Sequence, residues 1–363
     1  MDRWSEQGGR VSRPETRVRQ LLIAAKKLVD PKHPLGQRLR SELPALTGLS
    51  PEGVAYALEH NLEVNASSAE VLELCQSVPQ VDRAHVLLSA NVFVAGLRAV
   101  ALGLAASPKV FVRSSRREPL VVRLLEEASK GAFRVVDELV PLPGDHLWAY
   151  GSDETLKSLR GELPAGVVLH PHGSGFGVAV YEADAARLSP QAAAEALARD
   201  IGVFDQRGCL SPRLLVVQGD VTSASELARR LARELSAFEA RIPRGELSST
   251  EAADVTLYRD SMAYAGELHF AGKGCVGLDT QGERLMLAPV GRHMHVVHTN
   301  DAPELVRGLE PDVAALGVDV SPPLKERLTE VLPRARLSAL GQMQRPRFDG
   351  PVDKRPLRDG VPL

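Results

Sequence analysis

Helical spacing of apolar residues dominates the first quarter of the chain. One face of the first predicted helix carries apolar residues every three or four positions: Val18, Leu21, Leu22, Ala25 and Leu28. The same spacing predicts helices over residues 39–46, 51–61 and 68–75. Ser50 before Pro51 is typical of an N-cap followed by proline at the first helical position. Residues 1–84 are therefore predicted to form a helical N-terminal region.

Short apolar runs alternate with amphipathic stretches from residue 85 onward. The runs predict strands over residues 85–88, 109–112, 134–139, 146–150 and 166–170. The stretches between them predict helices over residues 92–104, 119–130 and 152–159. This repeated strand–helix order is typical of a parallel sheet with helices on both faces, which binds ligands at the carboxyl ends of its strands. Residues 85–200 are predicted to form a nucleotide-binding domain.

A second α/β domain is predicted over residues 201–335. A helix over 190–200 precedes it, and a helix over 223–240, with Ser223 as its cap, lies within it. Its strands are predicted over residues 214–218, 255–258, 284–287 and 293–297. Residues 336–363 are predicted to be a C-terminal arm that becomes ordered only against another surface, because the stretch from residue 342 is rich in Pro, Arg and Asp and lacks periodicity.

The charge balance of the 363 residues excludes bulk electrostatic capture of nucleic acid or membrane. Lys and Arg number 44 and Asp and Glu 46, for a net charge of -2. Three widely spaced cysteines favour a reducing compartment over a disulfide framework. The longest apolar stretch, 92–106, is interrupted by Arg98, and no apolar signal core is present near the start. We expect a cytoplasmic protein without a membrane span.

Cys209 stands in a polar turn between a predicted helix and a predicted strand, in the sequence FDQRGCLSPR. A thiolate is favoured by nearby cations and free backbone N–H groups, and Arg207 and Arg213 flank the cysteine closely. A single cysteine is more often a small buried apolar residue, so the local sequence leaves both interpretations open. Cys275 is a second thiol flanked by glycines and competes for the same role.

Three strand ends carry further candidate residues. Asn91 could direct its amide at a developing oxyanion, or could simply cap the following helix. Arg113, Ser115 and Arg116 could bind phosphate or form a solvated basic turn. Gly151 and Ser152 open a helix whose N–H groups could face a pyrophosphate, although the acidic residues at 153 and 154 oppose an anion.

Two groups of histidines are further candidates. His172 lies in a glycine-rich turn, 170–177, that contains no acidic residue, and could be a general base, a general acid or an ordinary loop histidine. His293 and His295 would share one face of a strand, near His298. No cysteine or carboxylate stands nearby at ligand spacing, so no metal site is predicted.

The segment around Cys209 resembles the nucleophile segment of the acyl-CoA reductases of the aldehyde dehydrogenase superfamily, the branch that includes the fatty-acyl reductases supplying aldehyde to bacterial luciferase. The resemblance covers most of residues 85–350 and includes RPRFDGP at 345–351. It implies an aldehyde dehydrogenase-like α/β fold, with two three-layer αβα Rossmann-type domains and the helical N-terminal region. The arm could then pair subunits.

The resemblance also assigns roles to the candidate residues. Cys209 would be the nucleophile, and Asn91 with the Cys209 N–H would hold the thioester oxygen, although Ala90 stands where relatives often have glycine. Arg113 occupies the position of a lysine that contacts the adenosine ribose, which favours NADPH over NADH. Hydrolytic aldehyde dehydrogenases activate water with a glutamate in the segment comparable to residues 170–177, so its absence suits a thioester reductase.

The expected function is NAD(P)H-dependent reduction of a fatty acyl-CoA or acyl-carrier-protein thioester to the aldehyde through an acyl-cysteine. An acyl transferase or thioesterase using the same acyl-cysteine is an alternative. A non-catalytic scaffold is another, because the turn at Gly151 is acidic and the chain is shorter than typical members. A homo-oligomer or a complex with an acyl-activating enzyme is a possible assembly.

Overall fold

Two β-sheets organise the chain in the computed structural model, which describes residues 12–90, 92–282, 284–353 and 355. The first sheet has the strand order β3-β2-β1-β4-β5 and is entirely parallel. Its strands are β1 (Ala84–Leu87), β2 (Val110–Arg113), β3 (Arg134–Val135), β4 (His146–Tyr150) and β5 (Val168–His172). The predicted strand over 134–139 is therefore shortened to two residues.

Helices cover both faces of the first sheet. The helical N-terminal region comprises α1 (Pro14–Val29), α2 (Pro34–Thr47), α3 (Pro51–Asn61) and α4 (Ser68–Gln76). These helices share one apolar core with β1, β2, α5 (Ala95–Ala106) and α6 (Leu120–Ala128). A smaller apolar cluster joins β4 to α7 (Asp153–Glu162). Ser50 caps α3 before Pro51, as the sequence predicts.

The second sheet has the order β12-β11-β6-β7-β10-β9-β8. Its strands are β6 (Phe176–Glu182), β7 (Pro212–Gln218), β8 (Glu267–Ala271), β9 (Gly274–Asp279), β10 (His293–Thr299), β11 (Val313–Asp319) and β12 (Arg336–Ala339). Only β8 pairs antiparallel among these described strands. Helices α8 (Pro190–Gly202) and α9 (Val221–Arg241) pack on one face, and α11 (Ala302–Arg307) and α12 (Pro322–Val331) pack on the other. This arrangement confirms the predicted fold class.

Two of the predicted strands are wrong. Residues 255–258 lie inside α10 (Ser249–Ala265), because Ser248 and Glu251 form a capping box that starts a helix through them. Residues 284–287 form no strand and belong to a loop whose main chain instead contacts Arg213 and His295. Helix α9 begins at Asp220 as its cap, three residues before the predicted Ser223.

The chain passes directly from one sheet to the other. β5 ends at His172 and β6 begins at Phe176, so only the turn 173–175 separates them. The two sheets therefore divide the chain at this turn, whereas the sequence placed the change of domain after residue 200. Because the chain runs straight on, the carboxyl edge of the first sheet faces the amino edge of the second, and a site between them draws on both.

The C-terminal arm packs on its own chain. It begins with β12 at the edge of the second sheet. Beyond that strand, the Arg98 guanidinium of α5 donates hydrogen bonds to the carbonyls of Pro346, Arg347 and Gly350, and it stacks on Phe348. The described part of this segment is therefore ordered against a surface of its own chain, where a buried cation satisfies its carbonyls. None of the helices described is long and apolar enough to cross a membrane.

Candidate active site

A cavity of about 500 Å³ opens where the two sheets meet. The first sheet contributes Tyr150, Gly151, Ser152 and His172 at the carboxyl ends of β4 and β5. The second sheet contributes the turn that precedes β7, with Cys209 at its centre. Four of the residues singled out from the sequence, Cys209, His172, Gly151 and Ser152, therefore line one cavity.

The backbone before Cys209 is left-handed over three consecutive residues. Phe204, Asp205 and Gln206 have φ values of 54°, 49° and 66°. Each non-glycine residue in this conformation costs roughly 1–2 kcal/mol, because its Cβ crowds the neighbouring carbonyl. Such a turn persists only where surrounding contacts determine it, and strained turns of this kind concentrate at functional sites.

A buried ion pair holds the middle of this turn. Asp205 is 1% exposed, and its carboxylate lies 2.9 Å from the Arg292 guanidinium and accepts a hydrogen bond from the N–H of Gly245 at 3.0 Å. The Asp205 carbonyl accepts another from Gly291 at 2.9 Å. Burial raises the pKa of Asp205, and the Arg292 cation opposes that shift. The pair fixes the turn to the loop that leads into β10.

The side chain of Gln206 fixes the other end of the turn. Its amide nitrogen donates to the carbonyls of Pro212 at 2.8 Å and His293 at 2.5 Å, and its oxygen accepts from the His293 N–H at 2.8 Å. Pro212 and His293 begin the neighbouring strands β7 and β10. Gln206 therefore acts as an extra rung between the two strands, directly before the nucleophile candidate.

Cys209 is half-buried on the cavity wall. Desolvation raises the pKa of its thiol to about 11, and the Asp353 carboxylate acts in the same direction. The Arg355 guanidinium and the backbone N–H groups of Cys209 and Leu210 oppose that rise. The thiol is therefore protonated at neutral pH, and its two nearest N–H groups are available for an anion that develops beside the sulfur.

The two arginines that flank Cys209 in sequence are engaged elsewhere. Arg207 pairs with Glu251 at 2.9 Å, and Arg213 donates to the carbonyl of Ala288 at 2.5 Å. Both line the cavity. The cation that acts on the Cys209 thiol is instead Arg355, which sequence proximity gave no reason to choose.

His172 ends β5 with its ring stacked on Tyr150, with ring centroids 4.4 Å apart. It is 8% exposed and lines the cavity. Burial lowers the pKa of His172 to about 4, so the ring is neutral at physiological pH. A neutral imidazole with so low a pKa is a poor acceptor for the proton of a thiol whose pKa is about 11.

The predicted adenosine-binding residues lie one strand further along the first sheet. Arg113 ends β2, and Ser115 and Arg116 follow it in the turn before α6. Arg113 and Ser115 are half-buried and Arg116 is exposed. None of these three described residues is part of the cavity wall. They stand beside the site at the same sheet edge, where the far end of an extended ligand could reach them.

The start of α7 differs from an open anion site. The hydroxyl of Ser152 accepts from the Thr155 N–H, and Asp153 accepts from the Ser174 N–H at 2.9 Å. The helix terminus is therefore already occupied by its own oxygen atoms, which would repel a pyrophosphate. Gly173 approaches Asp153 so closely that an added Cβ would lie 2.2 Å from its Oδ1. A pyrophosphate bound directly to this helix terminus is therefore disfavoured.

The other candidates have separate places in the fold. Asn91 lies outside the described residues. Cys275 is fully buried in β9, where it packs in an apolar cluster and not on the cavity wall. The rings of His293, His295 and His298 each contact a backbone carbonyl, at 2.9 to 3.2 Å. Among the described residues, no group of three or more His, Cys, Asp or Glu could hold a metal ion.

Sequence reasoning missed several residues that meet at the cavity. Asn61, Gln344 and Asp353 line it, and Arg355 lies behind it. Asn61 donates to the Gln344 carbonyl, and the Gln344 amide donates to Ser211. In the sequence, the resemblance of segment 345–351 to the acyl-CoA reductases was the signal that pointed to this part of the chain.

Comparison with known proteins relates this chain to a family and its fold to solved structures. The family model for acyl-CoA reductase (LuxC) matches residues 133–353. An oxidoreductase from Marinobacter aquaeolei superposes with a TM-score of 0.66 at 14% identity, over 90% of this chain and 78% of that one. A putative aldehyde dehydrogenase from Burkholderia cenocepacia gives 0.68 at 17%, over 94% and 80%.

A third similar structure is that of an indole-3-acetaldehyde dehydrogenase from P. syringae in complex with NAD+. It gives a TM-score of 0.62 at 15% identity, over 91% of this chain and 77% of that one. These structures establish the aldehyde dehydrogenase fold, and no curated protein sequence matches the chain. The match of the family model over more than half of its length shows that the chain belongs to the LuxC family of acyl-CoA reductases.

Proposed function

We propose that this protein reduces an acyl-CoA thioester to the aldehyde with NAD(P)H, through an acyl group held on Cys209. Membership of the acyl-CoA reductase family supports oxidoreduction at the aldehyde level. The observation that carries the proposal is the position of Cys209 on a cavity between the two sheets, with two backbone N–H groups beside its sulfur.

In the first step, the Cys209 sulfur attacks the thioester carbonyl carbon, and the carbonyl oxygen takes up negative charge. The N–H groups of Cys209 and Leu210 are the described donors that could stabilise this charge, with Asn91 as the predicted third. The carbon–sulfur bond to the carrier then breaks, and the departing thiolate accepts the proton that Cys209 gives up. A thiolate is a much better proton acceptor than His172, whose pKa is about 4.

A bound reduced nicotinamide would supply hydride to the acyl carbon, which releases the aldehyde and the Cys209 thiolate. Gly151 and Ser152 would flank the cavity end of this cofactor. Arg113, Ser115 and Arg116 would bind its adenosine end, and the guanidinium groups of Arg113 and Arg116 favour NADPH. The acyl carrier could be CoA or an acyl-carrier protein.

The acyl-enzyme would be protected from hydrolysis because its surroundings offer no suitable carboxylate to activate water. The described turn 173–175 and the strand ends on either side of it contain no carboxylate that could activate water. Asp353 and Glu63 line the cavity, but each carboxylate is paired with a guanidinium, that of Arg355 and that of Arg98 respectively. A reductase benefits because hydrolysis would waste the acyl-enzyme as free acid.

Two cysteine variants test the assignment of the nucleophile. Cys209→Ala should abolish aldehyde formation from a long-chain acyl-CoA and NADPH, while binding of NADPH is retained. Cys275→Ala is the matched control, since that thiol is buried away from the cavity, and it should keep activity in its folded fraction. Substantial aldehyde formation by Cys209→Ala would refute the proposal.

A further inference from the structure

The end of the described chain returns to the cavity. Val352 and Asp353 line it, and Arg355 lies buried behind it. We call residues 351–353 and 355 the strap. Arg98 donates hydrogen bonds to the carbonyls of Pro346 and Gly350, which fixes the position of the residues that precede the strap.

Within the strap, Asp353 and Arg355 form a bidentate ion pair. The Arg355 Nε lies 2.9 Å from Oδ1 and its Nη2 lies 2.7 Å from Oδ2, and the Arg355 backbone N–H also donates to Oδ1 at 3.0 Å. Asp353 is 7% exposed and Arg355 is 6% exposed. Two parallel hydrogen bonds fix the orientation of both charges, which a single contact would not do.

Arg355 also ties the strap to the turn between the sheets. Its Nη2 donates to the Ser174 carbonyl at 3.1 Å, and its Nη1 donates to the Asp312 carbonyl at 2.8 Å. Gly175 permits this approach, because an added Cβ would lie 2.3 Å from Nη2. The Arg355 guanidinium therefore packs against the turn 173–175, which follows His172, because Gly175 has no side chain there.

The pair and Cys209 meet at the same cavity: Cys209 and Asp353 both line it, and Arg355 is bonded to Asp353 and to the carbonyl of Ser174 on its wall. From these positions the Asp353 carboxylate disfavours the Cys209 thiolate, whereas the Arg355 guanidinium favours it. The other titratable or charged groups on the cavity wall come from the first sheet, from the turn of Cys209 and from the elements around Arg98: Tyr150, His172, Arg207, Arg213, Glu63 and Arg98. Arg98 is paired with Glu63, and Arg207 with Glu251.

We propose that the buried Asp353–Arg355 pair is a positioning element that tunes the reactivity of Cys209, with the carboxylate restraining the nucleophile and the guanidinium promoting it. The inference rests on the proposed role of Cys209 as the nucleophile. Asp353 and Arg355 would then determine the thiolate fraction of Cys209, and removal of one or the other would change that fraction in opposite directions.

The test is the rate at which iodoacetamide alkylates Cys209 between pH 7 and 10, followed by mass spectrometry of the peptide that contains it. In this range the rate should rise about tenfold per pH unit, since the thiol is largely protonated. Asp353→Asn should raise the rate at a given pH about tenfold, and Arg355→Met should lower it about tenfold, the size expected for one neighbouring charge. Arg355→Lys keeps the cation but loses the bidentate pair, so its rate should lie between those of wild type and Arg355→Met.

Controls separate an electrostatic effect from a loss of structure. Arg347→Met removes an exposed cation from the same segment and should leave the alkylation rate unchanged. Cys275 is fully buried and reports unfolding, because it should react only in a protein that has lost its fold. If Arg355→Met fails to fold, Asp353→Asn and Arg355→Lys still carry the test.

Opposite changes in Asp353→Asn and Arg355→Met, with Cys275 protected, would support the inference even if the protein reduced no acyl-CoA. Equal rates, or changes of the same sign, would overturn it even if the reductase activity were established. The alkylation profile uses no substrate, so failure of the inference and failure of the proposed function are distinguishable.

Discussion

Replacing Gln206 by methionine should destabilise the turn that presents Cys209. Gln206 is 1% exposed and satisfies three backbone groups at the starts of β7 and β10: the carbonyls of Pro212 and His293 and the N–H of His293. Methionine has a similar length and cannot replace these bonds. Each buried backbone group that loses its partner costs about 1–3 kcal/mol.

Three backbone groups lose their partner, so even the lower end of that range predicts a decrease of about 3 kcal/mol in the free energy of unfolding. The left-handed conformation at residues 204–206 would also lose the contact that compensates for its strain, so Cys209 should move and its acylation should slow. Urea unfolding followed by circular dichroism measures the first effect, and the rate of acyl adduct formation measures the second.

The matched control is Gln37→Met on the exposed face of α2, which should leave both the stability and the acylation rate close to wild type. One hydrogen bond contributes about 1 kcal/mol. If the free energies of unfolding of Gln206→Met and the control differed by less than about this amount, the predicted loss of three bonds would be contradicted. It would mean that the amide rung between the two strands does not stabilise the turn.

Two further substitutions test the supports of the site. Gly177→Ala would place a Cβ 2.6 Å from the Leu210 carbonyl and should displace the nucleophile's turn and lower kcat, whereas Gly161→Ala, with open space around it, should not; equal kcat values would contradict this view. Arg98→Met leaves the Glu63 carboxylate and the carbonyls of the C-terminal segment without their partner. It should cost about 3–5 kcal/mol and speed tryptic cleavage after Arg347, while Arg38→Met, at an exposed pair, should leave the cleavage rate unchanged. An unchanged cleavage pattern in Arg98→Met would show that other contacts hold the segment.

Periodic patterns of apolar residues predicted the strands of the first sheet and, in the second sheet, β7 and β10, but they missed β6, β8, β9, β11 and β12. The parallel strands at β1, β2, β4 and β7 are short, apolar and separated by amphipathic helices, which is a local signal. Residues 255–258 failed because β-branched and aromatic residues favour a strand, whereas the capping box at Ser248 starts a helix that includes them.

The cavity depended on contacts that the sequence does not display. Cys209 could be chosen as a candidate from its polar, glycine-containing turn before an apolar strand, and the family resemblance then favoured it as the nucleophile. Asp353 and Arg355 could not, because a segment without periodicity carries no sign of where it packs. The flanking Arg207 likewise looked like the activating cation, and only the folded chain reveals its pairing with Glu251.

The pKa of the Cys209 thiol also differs from the expectation, because it depends on contacts that only the folded chain shows. Flanking arginines predicted a stabilised thiolate, whereas burial and the Asp353 carboxylate raise the pKa of Cys209 to about 11. An acyl-enzyme pathway remains compatible with this value, since a bound thioester can accept the thiol's proton on its leaving sulfur. Alkylation and acylation should therefore differ in their dependence on pH.

The decisive measurement is the mass of the intact protein after brief incubation with a long-chain acyl-CoA and then with NADPH. We expect an adduct of one acyl group, located on the peptide that contains Cys209, which disappears with release of aldehyde when NADPH is added. An adduct that persists with NADPH, or that leaves as free acid, would contradict reduction and favour acyl transfer or hydrolysis. The absence of any adduct across acyl chain lengths would contradict the acyl-cysteine mechanism itself.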